Sequence, residues 1–164
     1  MNKLLTTLLV SASLIAAVIP AANAATTSNN FQVSVSLTSQ CQASNSGTTT
    51  VSFGTYTAFQ ASAQTGTPVN LTFNCTRTFS PTSVAFDTVN GLATGEGVLQ
   101  GLQYTLAAGL PTSAAGLAAT TASIGTADVK TYNITGSMPA SQAGTCATAS
   151  CGPTAHTRTL VVTF

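Results

Sequence analysis

The stretch "NNFQVSVSLTSQC", residues 29–41, alternates apolar Phe31, Val33, Val35 and Leu37 with polar Gln32, Ser34, Ser36 and Thr38. Successive side chains on a strand point to opposite faces, so this spacing predicts a β-strand with one apolar face. Cys41 continues the apolar parity. The position of this strand is unusual, because new chain ends are ordinarily frayed. A few residues upstream lie Lys3, the apolar run "LLTTLLVSASLIAAVI" and the small-x-small triplet Ala22-Asn23-Ala24. Together they read as a secretion signal over residues 1–24. Serines and threonines within the run, and no charged flank beyond it, count against a retained anchor. The chain is therefore expected to be exported.

Removing those 24 residues from 164 leaves 140, enough for one domain with a real core. Arg77, Lys130 and Arg158 balance Asp87, Glu96 and Asp128, so this part carries no formal net charge. Charged residues make up 4% of the chain, against about 25% in a typical domain. No basic stripe exists to neutralise phosphates, which argues against nucleic acid as a partner. Nor is there a basic amphipathic segment for an anionic membrane surface. The surface must consist of Thr, Ser, Gln and Asn. A chain with so little charge lacks the usual electrostatic protection against association, which points to work inside an assembly.

Four cysteines in an exported chain predict two disulfides, with three possible connectivities. Cys75 ends "VNLTFNC", where Val69, Leu71 and Phe73 share its parity, so Cys41 and Cys75 both face a core and are paired. Cys146 and Cys151 then close a tight local loop.

Strand signals recur along the chain. After the opening strand come residues 48–59, 67–79, 82–89, 99–109, 129–138 and 156–164. Asn90-Gly91 reads as a two-residue hairpin turn, because both residues tolerate positive φ. Residues 110–126 read as loop with one short strand, since two glycines and a proline oppose a helix. Many short strands separated by turn residues indicate an all-β sandwich or barrel.

Little here serves catalysis. His156 is the one histidine, and nothing places a serine near it with a third group to hold the pair. Asp87 in a strand, Glu96 in a glycine-flanked turn and Asp128 near Lys130 read as surface charge rather than a glycosidase pair. Cys146, Cys151 and His156 match no strong zinc spacing, and neither metal nor other cofactor is expected. The sequons at Asn70, Asn74 and Asn133 all fall inside expected strands. A terminal Phe164 on an alternating strand also occurs in outer-membrane barrels. Reading back with its parity gives Val162, Leu160, Arg158 and His156, and the last two would face lipid. The absence of Trp for an interfacial girdle also counts against a barrel.

The ordered set of motifs carries a resemblance. An alternating strand runs into Cys41, then come "TVSFGTY" (50–56), "VNLTFNCT" (69–76) with Cys75, "LQYTL" (102–106) and a closing "TLVVTF" (159–164). This order resembles the spore coat protein U domain family, which includes the pilins of archaic (Csu-type) chaperone–usher pili. The resemblance implies an incomplete immunoglobulin-like β-sandwich over residues 41–164, preceded by a donor-strand segment over 25–40. Phe31, Val33, Val35 and Leu37 would enter the groove of a neighbouring subunit. Leu160, Val162 and Phe164 would border the chain's own groove and pair with a periplasmic chaperone during export. Cys41–Cys75 would be the family's core disulfide. The partners implied are homologous pilin subunits, that chaperone and an outer-membrane usher, with no small-molecule substrate. The product implied is a cell-surface fibre supporting attachment and biofilm, this chain being a shaft or adaptor subunit and not an enzyme. Family members often carry "AG-x-Y-x-D" before the last strand; here "AGTCATASCGPTAHTRT" stands there, so the Cys146–Cys151 loop is this chain's own. Periodicity alone leaves a rival reading, a monomeric secreted coat or binding protein in which residues 31–37 bury their apolar side at home.

Overall fold

The computed structural model describes residues 26–45 and 47–164, so the expected signal peptide lies outside the described residues. The chain divides between Ser36 and Leu37 into two units. In the first, the described residues 26–36 form neither helix nor strand. The second holds nine strands and no helix among its described residues.

β8, Asp128–Met138, is the spine of the larger sheet. Its sequence alternates so that Tyr132, Ile134 and Met138 are buried while Asn133, Thr135 and Ser137 are exposed. One edge pairs with β3 (Val69–Cys75) and then β2 (Gln64–Thr65); the other pairs with β7 (Thr112–Ala114) and then β6 (Leu102–Ala108). On each edge the register slips by one residue between the two partners. Val69 faces Ile134 but Gln64 faces Met138; Thr112 faces Thr131 but Thr105 faces Ser137. One extra residue in an edge partner is a bulge, which bends and twists the sheet. β1 (Cys41–Ala43) extends the sheet beyond β3, and β5 (Glu96–Leu99) beyond β6, giving the order β1-β3-β8-β6-β5. Among the described residues, a second sheet consists of β4 (Ser83–Phe86) and β9 (Leu160–Thr163), paired antiparallel.

The core lies between these sheets, as in a sandwich. Tyr104, Leu106, Tyr132, Ile134 and Met138 from the larger sheet meet Phe86 and Leu160 from the smaller. Each such side chain contributes about 1.5–3 kcal/mol by leaving water. Phe73 meets Tyr132 edge-on, ring centroids 5.8 Å apart, as diagonal cross-strand neighbours. Cys41 sits directly opposite Cys75 and is bonded to it, and Cys146 is bonded to Cys151. These disulfides belong to an oxidising compartment outside the cytoplasm.

Three expectations about local structure are corrected. No strand precedes Cys41 among the described residues, although the alternation begins at Phe31. Residues 48–59 form no strand either. Val51 and Phe53 instead lie across Gly66 and Gly136, where an added Cβ would come within 2.7 Å and 2.8 Å of them, and positive φ at Gly54 and Phe59 breaks the extended run. The hairpin turn is at Gln100-Gly101, with φ of 52° and 69°, joining β5 to β6; the expected strand 99–109 ran straight through it. Neither Asn90 nor Gly91 has positive φ.

Candidate assembly site

Among the described residues, β9 pairs along one side only, with β4. Thr159 O accepts from Asp87 N (2.9 Å) and Thr163 O from Thr82 N (2.8 Å), so odd-numbered residues turn their backbone toward β4. Even-numbered residues in an antiparallel strand turn theirs the opposite way. Leu160 and Val162 therefore present N–H and C=O groups along an edge with which no described strand pairs. Their side chains face inward: Leu160 is buried, and half-buried Val162 packs on the core. Phe164 is half-exposed and meets Phe79 edge-on at 5.6 Å. The edge thus combines an unpaired hydrogen-bonding row with an apolar row beside the core.

The start of this strand is held by Arg158, whose side chain is 6% exposed. Its Nη2 donates to the carbonyls of Asp87 (2.9 Å) and Leu92 (2.8 Å), and its Nη1 to the Glu96 carbonyl (3.3 Å) and the Tyr104 hydroxyl (3.2 Å). Nε lies 3.4 Å from Asp87 Oδ1, an ion-pair distance without hydrogen-bond alignment. The Asp87 carboxylate also accepts from the amides of Val89 (3.1 Å) and Thr159. Burial pushes its pKa up, but those amides and the Arg158 guanidinium outweigh it, and the net shift is downward. Gly91 is explained by this cluster: a Cβ there would stand 2.3 Å from Arg158 Nη1 and 2.0 Å from the Glu96 carbonyl.

The expected surface charges are mostly structural. Asp128, only 9% exposed, accepts from Gly116 N (2.7 Å) and Thr78 N (2.8 Å), pinning two loops, and these amides hold its pKa down. Glu96 opens β5 rather than a turn, and its carboxylate accepts from the Thr94 hydroxyl, which lowers its pKa. His156 packs edge-on against Tyr104 at 6.3 Å and, with Glu96, lines a shallow cleft of about 440 Å³. A second cleft, of about 510 Å³, opens between Val84 of β4 and Ala108 and Tyr132 of the larger sheet. No group of His, Cys, Asp and Glu among the described residues could hold a metal ion, and no described helix is long and apolar enough to cross a membrane.

Phe31, Val33, Val35 and Leu37 are 86%, 86%, 93% and 77% exposed and belong to no strand. Leu160 and Val162 lie on β9 with their side chains toward the core, whereas Phe164 follows the end of the strand and packs on Phe79. The Asp87–Arg158 pair escaped sequence reasoning because the partners are 71 positions apart. One signal was available: Arg158 shares the parity of Leu160 and Val162, so it had to enter the core side and find a counter-charge there. No protein-family model matches the chain, and no curated protein or solved structure shows a significant likeness to it.

Proposed function

We propose that this chain is a structural subunit, shaft or adaptor, of an exported chaperone–usher type fibre. Residues 31–37 of one copy complete the sandwich of the next. The observation carrying this reading is the match between an exposed, alternating apolar row and the unpaired edge of β9. The strand order supports it. An immunoglobulin-type sandwich orders its strands ABED in one sheet and CFG in the other. β1, β3, β8 and β6 follow one another as A, B, E and D, and β4 and β9 as C and F. No described strand takes the G place beside β9.

A strand added to that edge gains main-chain hydrogen bonds, with alternate side chains setting its register. Phe31 to Leu37 extends about 20 Å at the strand rise. A neighbouring copy fits this role better than the home domain. Gln40 O still accepts from Thr76 N (2.9 Å), so the chain stays on the edge of β3 until Gln40, tethered by Cys41–Cys75. Only Thr38 and Ser39 separate it from Leu37, too short a link to cross the roughly 10 Å between sheets and then reverse. A head-to-tail contact of this kind does not close, and it builds a filament.

An open edge beside half-buried Val162 and half-exposed Phe164 needs cover before assembly. A periplasmic chaperone on Leu160, Val162 and Phe164 supplies that cover. An outer-membrane usher passes subunits to the cell-surface fibre, where attachment and biofilm formation follow. The test is an unboiled denaturing gel of the exported chain, wild type against Val33→Asp/Val35→Asp. A carboxylate buried unpaired in the acceptor costs several kcal/mol. The wild type should give a ladder that collapses on boiling and the variant only monomer. A wild-type monomer that is stable without any partner refutes strand exchange and leaves the monomeric coat protein.

A further inference from the structure

We infer that Arg158 is the positioning residue of the acceptor edge, a fork that ties β9 to the larger sheet and presents Leu160 and Val162 in one fixed register. The inference rests on the strand-exchange reading for its consequence, but its geometry stands alone. Among the described residues β9 belongs to a sheet of two strands, so β4 holds it along one side. A two-stranded ribbon is marginal by itself and needs packing against something else. Leu160 and Val162 supply apolar contact. Arg158 supplies the polar bridge: its guanidinium reaches the Glu96 carbonyl on β5, the Tyr104 hydroxyl on β6, and the Asp87 and Leu92 carbonyls after β4.

Three surrounding features are shaped to this one side chain. Gly91 leaves the space that Nη1 fills. Tyr104 is buried, with its hydroxyl donating to Asn90 O (3.3 Å) while accepting from Arg158. Asp87 supplies the counter-charge and, through Thr159 N, grips the backbone of the residue entering β9. The charged groups around the fork are Asp87 beyond β4, Glu96 on β5 and His156 on the approach to β9, with Tyr104 on β6. A lysine could answer Asp87 but cannot serve four separate acceptors, because only the planar guanidinium offers donors in a fixed fork. Two long-range effects follow from one residue: the start of β9 is tied to β5 and β6, and its register against β4 is fixed two residues before the first anchor.

The experiment uses the exported full chain carrying Val33→Asp/Val35→Asp, whose own donor segment is disabled, and a synthetic peptide of residues 29–40 as donor. Arg158→Lys and Arg158→Gln are introduced into it. Peptide affinity is measured beside amide hydrogen exchange of β9 and β8. Both variants should bind the peptide at least tenfold more weakly and exchange β9 amides at least tenfold faster, with β8 amides unchanged. Equal affinity and equal β9 exchange in Arg158→Lys overturn the inference. So does a rise in exchange shared by β8 and β9 with unchanged affinity of the folded fraction, since that marks a residue serving global stability alone. If the chain retaining Arg158 captures no peptide, strand exchange fails, and the contrast between β9 and β8 exchange still decides the role of the fork.

Discussion

Truncating Val35 to alanine separates assembly from folding more sharply than any charge substitution. Val35 is 93% exposed, so its loss removes almost nothing from the isolated subunit, within about 0.5 kcal/mol. In the proposed junction the same side chain would be buried against the neighbouring copy. Removing its two methyl groups there forfeits about 1.6 kcal/mol of transfer energy, and the gap left behind adds a few tenths more. The sum of about 2 kcal/mol corresponds to a roughly 30-fold weaker junction. Because every junction in a shaft repeats the loss, a temperature series on unboiled gels should show the Val35→Ala ladder collapsing well below the wild type. Ser34→Ala, on the opposite face, should leave it unchanged. Circular dichroism in urea reads the subunit itself, and its midpoint should hold. A ladder as heat-resistant as the wild type refutes the reasoning, and so does a subunit destabilised by more than about 1 kcal/mol, which would mean that Val35 packs at home.

The two disulfides should differ in weight. In the chain-entropy model, Cys41–Cys75, with a sequence separation of 34, stabilises by about 3.8 kcal/mol, and Cys146–Cys151, with a separation of 5, by about 2 kcal/mol. Paired Cys→Ala substitutions followed by urea unfolding check the order, and only the first should also abolish the ladder, because it frees the tether of the donor segment. Acid should destabilise the subunit in a defined direction. The folded-state pKa values of Asp87 and Asp128 are lowered, so their contribution is complete above the ordinary carboxylate value near 3.9 and is lost as pH falls through the folded values. Asp128→Asn should flatten that dependence in a pH series of unfolding midpoints.

Parity was the legible part of the sequence. Tyr132, Ile134 and Met138 alternate on β8 as period-two reasoning requires, and the same rule brings Cys41 opposite Cys75 and turns Leu160 and Val162 inward. What stayed hidden depends on contacts between distant residues. Val51 and Phe53 alternate like a strand, yet they spend their side chains on the bare backbone at Gly66 and Gly136 rather than joining a ladder. Asn90-Gly91 looks like a turn by composition, but Gly91 answers to a guanidinium 67 positions downstream, whereas the actual turn uses Gln100, a residue with no special preference for positive φ. Period-two alternation also cannot tell a strand paired at home from one that pairs elsewhere, and residues 31–37 form no strand and stay exposed.

The sparse charges are largely occupied. Arg158 and Asp87 face each other, Asp128 holds backbone amides, Glu96 binds Thr94, Arg77 donates to Gly116 O (3.1 Å) and Lys130 to Ser113 Oγ (3.0 Å). The three positive and three negative side chains of the described residues sum to zero, so only a weak field reaches beyond the surface to steer the molecule over a Debye length. Encounters between such surfaces are decided at contact, by shape, hydrogen bonding and exposed apolar side chains. A fibre of these subunits would be electrically quiet, and it would meet the same surface alike in fresh water and in brine.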